Sequence, residues 1–165
     1  MLLSKQAYIK IDKEIAKFPV EQKKSATIAS LAIAQEEKIW LSADILEEIA
    51  NYLDIPAISV QEVATFYRMF NLKPIGKYKI SLCTNLPCAL REAKKTGEYL
   101  KAKLNINYQD TTSDGLFTLI ESECVGACAD APVIIINNNR MFTKMGKVEI
   151  DSLISKLSSN NEKFE

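Results

Sequence analysis

Lys77-Tyr-Lys-Ile-Ser-Leu82-Cys83-Thr-Asn-Leu-Pro-Cys88 holds a strand signal and a paired-cysteine loop in twelve residues. Tyr78, Ile80 and Leu82 alternate with polar residues, which predicts a strand that ends at the first cysteine. A helix-like run follows Cys88, so that helix is expected to begin beside the loop and to aim backbone N–H groups and the positive end of its dipole at the thiols. A second loop lies further on, Cys124-Val-Gly-Ala-Cys128, with 35 residues between the two. Leu116 to Glu121 is predicted to be the strand that delivers it.

These four cysteines are all the chain has, and it contains no histidine. Four thiolates in two close pairs suit a [2Fe–2S] cluster, two ligands to each iron. Cys83, Cys88, Cys124 and Cys128 are therefore the candidate ligands. Structural zinc favours short knuckles at both ends, which the wider loops fit less well. The absence of C-x-x-C disfavours dithiol exchange of the thioredoxin kind. The absence of histidine removes a Rieske centre, a Cys2His2 zinc site and a Cys–His nucleophile. Gly126 is expected to bring its N–H close to sulfur, and Pro87 and Pro132 to stiffen the loops. All-thiolate ligation places the potential in the plant-type range of about −400 mV, below the Rieske range.

Upstream, residues 1–75 read as a helical domain. Tyr8, Ile11, Ile15 and Phe18 predict one apolar helix face, and Ile28, Leu31, Ala32 and Gln35 a second. Ser42 can cap a third helix with the face Ile45, Leu46, Ile49 and Leu53, closed by Pro56. Ser59-Val-Gln-Glu62 reads as a capping box, with Ile58 and Val63 as its hydrophobic staple, ahead of the face Val60, Val63, Ala64 and Tyr67. Phe66, Tyr67, Met69 and Phe70 are expected in the bundle core, with a docking surface as the alternative.

At Gly76 the apolar period changes from 3.6 to 2, so residues 76–158 form a second, α/β layer domain with a small sheet in the order β-α-β-β-α. Its helix carries Leu90, Ala93, Leu100 and Leu104, with Gly97 at a cost of about 1 kcal/mol relative to alanine. Asp114-Gly115 marks a turn, Val133 to Ile136 a buried strand, and Asn137-Asn-Asn139 a left-handed turn into a hairpin partner at Arg140 to Phe142. Ile150, Leu153, Ile154 and Leu157 mark the last helix, and residues 159–165 are a polar tail.

Apolar residues make up 47% of the 165, enough for packed cores. The 21 basic and 21 acidic side chains cancel, and no basic face suggests nucleic acid. No run approaches a membrane span and no leader is legible, so a soluble, cytoplasmic chain without direct membrane insertion is expected. Cysteines in a reducing compartment point to metal instead of disulfides. The five glycines build no phosphate loop or dinucleotide fingerprint. The carboxylate pairs Glu36-Glu37 and Glu47-Glu48 read as solvated surface charges.

With these residues in view, the chain resembles the small [2Fe–2S] subunit of the NADH dehydrogenase module of respiratory complex I, the 24 kDa subunit family with its bacterial counterparts. The matching residues are Cys83-x4-Cys88, Asp114-Gly-Leu-Phe-Thr118 and Glu123-Cys-Val-Gly-Ala-Cys128-x-Asp-Ala-Pro132. Gln35-Glu36-x3-Trp40-Leu41 and Val63-Ala-Thr-Phe-Tyr67 support them. The resemblance implies an α+β or α/β protein, an N-terminal helical bundle followed by a thioredoxin-like ferredoxin domain. It also implies that all four cysteines bind one cluster, which exchanges single electrons with the FMN of a partner subunit. That flavoprotein subunit binds NADH, so FMN and NADH belong to the partner, and other peripheral-arm subunits complete the oxidoreductase. The chain would then sit peripheral to the inner membrane through the complex, on the matrix side in a mitochondrion. Relatives in NAD-linked hydrogenases and formate dehydrogenases give an alternative as a diaphorase-module subunit, and a structural zinc scaffold is the other. Lys38-Ile39 stands where relatives usually carry Gly, and Asn139-Arg140-Met141 where they usually carry aromatic residues.

Overall fold

Residues 1–159 are described by a computed structural model, and the chain divides into two compact units, Met1–Pro74 and Ile75 onward. The polar tail expected at 159–165 lies, beyond Ser159, outside the described residues.

The first unit is helical. It contains α1 (Lys5–Ile15), a 3-10 segment (Val20–Ala26), α2 (Thr27–Lys38), α3 (Ala43–Leu53) and α4 (Ala57–Phe66). Ser42 caps α3 as expected, accepting from the Ile45 N–H at 3.4 Å, and Ile45, Leu46, Ile49 and Leu53 are all buried. Three helices differ from expectation. The buried face of α2 is Thr27, Ser30, Leu31 and Ala34, because Ser30 can enter the core by donating its hydroxyl to the Ala26 carbonyl at 2.9 Å. Ala32 is exposed, and Gln35 instead clamps the segment after α4 through the Met69 carbonyl and the Asn71 N–H.

The capping box is absent. α4 starts at Ala57 with Pro56 as its N-cap, so Ser59 falls inside the first turn and Ile58 is exposed. Proline suits that position, since it lacks the N–H that an interior helix residue must donate. Phe66, Tyr67 and Met69 also miss the core: α4 ends at Phe66 and the chain turns, leaving Phe66 78% exposed and only Phe70 buried. Phe18 lies beyond the end of α1 and is exposed as well.

In the second unit a four-stranded sheet has the order β2-β1-β3-β4. β1 (Tyr78–Cys83) pairs parallel with β2 (Phe117–Ser122) and antiparallel with β3 (Ile134–Ile136), which pairs antiparallel with β4 (Arg140–Phe142). Short helix α5 (Leu86–Leu90), then α6 (Ala93–Leu104), cross from β1 to β2, and α7 (Lys147–Ser158) follows β4. Every residue of β1 is buried, Lys79 and Ser81 included. The alternation read from its sequence therefore reports chemistry and not exposure. Asn137 and Asn138 take positive φ as expected, and Asn137 extends the β1 ladder by accepting from the Lys79 N–H at 2.7 Å. Tyr78, Ile80, Leu82, Phe117, Leu119 and Ile134 share one core with α6 and α7.

The helix expected after Cys88 is in fact two. Asn85 caps α5 before the cysteine, and Glu92 at φ +68° breaks the chain ahead of α6. Cys88 therefore lies inside a five-residue helix instead of ahead of a long one, and the start of α6, Ala93, packs against Cys83 and Cys88.

Candidate metal centre

Parallel pairing of β1 and β2 sets both cysteine loops at one edge of the sheet. The register ends with Cys83 opposite Ser122, so both strands run out together. This is the edge at which open α/β sheets present their ligands. Cys83 is the last residue of β1, and its N–H donates to the Val133 carbonyl at 3.0 Å. Cys88 sits one turn into α5, and Cys124 and Cys128 flank Gly126 after β2. A weak bond from the Asn85 amide to the Glu123 carboxylate, 3.4 Å, joins the two loops.

The four predicted residues come together as two pairs of unequal burial. Cys83 and Cys88 are each 2% exposed and pack with Ala93, Ala131 and Val133, whereas Cys124 and Cys128 are exposed. In the outer pair the sulfurs lie 3.4 Å apart. In the inner pair Cys83 acts directly on the Cys88 thiol. Burial, then this neighbour, pushes the Cys88 thiol up to about 11, while the Val133 N–H acts in the opposite sense. The Gly126 N–H, donated to sulfur, and the bond with Cys128 hold Cys124 below its ordinary value. Cys128 is raised by its bond with Cys124, by burial and by the charges of Cys124 and Cys83. The charge of Cys83 acts on Cys128 and that of Cys128 on Cys88, so the two pairs are near neighbours.

Gly126 performs as its sequence context suggested, at φ +84° with an N–H on sulfur. Sequence reasoning missed the Val133 N–H on Cys88 and the Asn85 cap. Asn85 was legible, since Asn two residues before Pro is a helix-start signature. Val133 was not, because a backbone donor leaves no trace in residue type. The Ala131–Pro132 peptide beside it is cis.

The donor set fits a two-iron group. Among the described residues, no three His, Cys, Asp or Glu side chains converge on one ion position. Two thiol pairs, with N–H groups acting on Cys88 and Cys124, would hold such a group with two ligands to each iron.

Fold and site thus define a thioredoxin-like domain that carries two pairs of cysteines at one edge of its sheet. Residues 11–158 match the sequence model of the thioredoxin-like [2Fe-2S] ferredoxins. The chain belongs to that family. It is 43% identical over 141 residues to an NADH-quinone oxidoreductase subunit of Rickettsia prowazekii, covering 85% of this chain and 79% of the relative. It is 34% identical to the mitochondrial NADH dehydrogenase [ubiquinone] flavoprotein 2 of Dictyostelium discoideum, covering 92% of this chain and 62% of that one. A crystal structure of an NAD+-reducing [NiFe]-hydrogenase shares the fold over 80% of this chain and 23% of its own, with a TM-score of 0.69 at 23% identity.

Proposed function

We propose that this chain is the electron-transfer subunit of an NADH:quinone oxidoreductase, with Cys83, Cys88, Cys124 and Cys128 binding one [2Fe–2S] cluster. The observation that carries the reading is the pair of neighbouring dithiol sets at the ends of β1 and β2. The relatives at 43% and 34% identity, themselves NADH dehydrogenase components by name, supply the setting. When bound, the cluster supplies one-electron storage at low potential.

The chain's own residues prepare the place. The Gly126 N–H holds Cys124 toward the thiolate a metal requires, and the Val133 N–H acts in the same sense on Cys88 against the stronger upward push of burial. Burial of Cys83 and Cys88 keeps water from the inner side, while the exposed outer pair leaves the centre reachable from the surface. Hydride chemistry on NADH belongs to a flavin-bearing partner subunit, because this chain has no phosphate loop with which to hold a dinucleotide. No helix among the described residues is long and apolar enough to cross a membrane, so attachment to the membrane runs through the assembled complex.

The experiment is iron and acid-labile sulfide per chain on anaerobically purified protein, with EPR after dithionite. Two irons, two sulfides and a single S = 1/2 signal are expected. Zinc in place of iron would sink the carrier reading and favour a structural scaffold. Copurification with a flavoprotein and nickel would reassign the chain to a hydrogenase module.

A further inference from the structure

Behind the cysteine loops, the first turns of α6 and α7 open onto one cavity of about 310 Å³. Arg91, Lys95, Lys144 and Lys147 line it, and Glu92 is the one carboxylate among the described residues of its wall. Lys95 pairs with Glu92 at 2.5 Å and Lys144 with Asp130 at 3.2 Å. Glu149, in the first turn of α7, reaches back toward Gly146. The Lys147 ammonium lies 5.5 Å over the Tyr99 ring, and among the described residues none pairs with the Arg91 guanidinium.

This placement of charge runs against the helices themselves. Both are twelve residues long, both turn the positive end of the dipole to the cavity, and neither has a side-chain N-cap. The first turn of α6 carries Lys94 and Lys95 with no acid beyond its N-cap Glu92, and α7 opens on Lys147 with Glu149 two residues on. Cations there oppose the dipole, and two stretches of chain, 91–95 and 144–147, bring four of them to one cavity, which favours an anion between them. On the other side Pro132, Met145 and Ile150 form an apolar wall. The volume exceeds that of a lone phosphate and stands at the low end of small-ligand pockets, about 300–1,000 Å³.

We propose that this cavity binds a phosphorylated small molecule of diphosphate size, its oxygens held by Arg91 and Lys147. A guanidinium fork suits phosphate geometry, and two helix starts add N–H donors. Ala131 lines the cavity and also packs with Cys83 and Cys88, so the bound anion lies directly behind the inner thiols. Negative charge there disfavours adding an electron to the centre, and by linkage reduction weakens the anion's hold. This second half rests on the cluster assignment; the binding itself does not.

The test is calorimetric titration of the full chain, cluster included, with pyrophosphate and with ADP at constant ionic strength. Saturable one-site binding is expected, weakened ten-fold or more in both R91A and K147A. Neither change threatens folding, since both side chains are exposed and K147A relieves a cation at a helix start. Equal affinity for the two probes assigns recognition to the phosphates alone; tighter ADP binding adds the nucleoside. Redox titration followed by EPR should show the midpoint falling with saturating ligand in the parent and staying put in R91A. No saturable heat from either probe, or unchanged affinity in both variants, overturns the proposal. An EPR-silent chain that still binds would sink the cluster and leave the cavity standing, whereas an EPR-active chain that binds neither probe would do the reverse.

Discussion

Ile39 closes α2 at φ +70° and ψ −38°, a conformation that a β-branched residue adopts only under strain. Its side chain is 52% exposed, so little burial is lost on trimming it. Ile39→Gly should raise the stability of the helical unit by about 1 kcal/mol, read as a higher urea midpoint at constant slope. An unchanged midpoint would show the strain to be absorbed elsewhere. Gly97 is the opposite case. A Cβ there would stand 2.0 Å from the Tyr108 hydroxyl and 3.2 Å from Leu82, so the residue that reads as a weakness in α6 is what lets the Tyr108 ring lie on the helix. Gly97→Ala should cost about 1–3 kcal/mol, and adding Tyr108→Phe should recover most of it. If the double variant is no better than the single one, the hydroxyl is not the obstacle. Neither residue discloses its role in the sequence: Ile39 reads only as a departure from related chains, and Gly97 only as a helix penalty.

At the scale of elements, the surface carboxylates of α2 and α3 do more than solvate. Leu2 and Leu3 donate their N–H groups to Glu48, which also accepts from the Tyr8 hydroxyl. Ser4 donates its N–H and hydroxyl to Glu37. The start of the chain is thereby fastened to two helices, and Leu3 is buried. The Ser4 hydroxyl bond, then Lys38 and the Ser4 N–H, holds Glu37 down at about 2 from an ordinary 4.5. For Glu48, burial is the largest influence and pushes upward, but the bonds from Tyr8, Leu3 and Leu2 outweigh it. A carboxylate more acidic when folded stabilises above its unfolded value, and that contribution is lost as pH falls toward the folded one. The Ser4–Glu37 contribution should therefore be complete above about 4.5 and fade toward about 2, while Glu37→Gln flattens the profile in that window. Superimposable denaturation profiles would rule the bond out as their source. Sequence pattern could not reveal this, because period 3.6 marks which face is exposed but not what a neighbouring segment does with it. Where one face was strongly apolar, as in α3, pattern and structure agree. Where small or polar residues enter the core, as Ser30 does, the predicted face rotates.

For the whole molecule, the two units have separate hydrophobic cores, one centred on α1 to α4 and the other on the sheet with α6 and α7. Trp40, the single tryptophan, belongs to the first. The cysteines belong to the second, so chelation of iron should lower the thermal transition of the sheet unit, followed by scanning calorimetry, and leave the Trp40 fluorescence transition within about 2 °C. A matching fall in both would mean that the cluster supports the entire chain. Replacing any one of Cys83, Cys88, Cys124 or Cys128 by Ala should deplete iron and sulfide, and full retention in a variant would remove that residue from the ligand set. The candidate centre was legible from the sequence because four cysteines with no histidine leave few alternatives. The cavity behind it was not, because its four cations are spread over more than fifty residues and meet only when α6 and α7 pack together.

The unequal burial of the two cysteine pairs also bears on how the protein matures. Before any metal arrives, a scaffold or chaperone can touch only Cys124 and Cys128, since Cys83 and Cys88 are closed off beneath Val133 and Ala131. On the proposed ligand set, a transferred cluster would meet the outer thiols, Cys124 and Cys128, before the buried inner ones. Newly made, cluster-free chains should show the same order toward an alkylating reagent, two thiols reacting within seconds and two only as fast as the fold breathes.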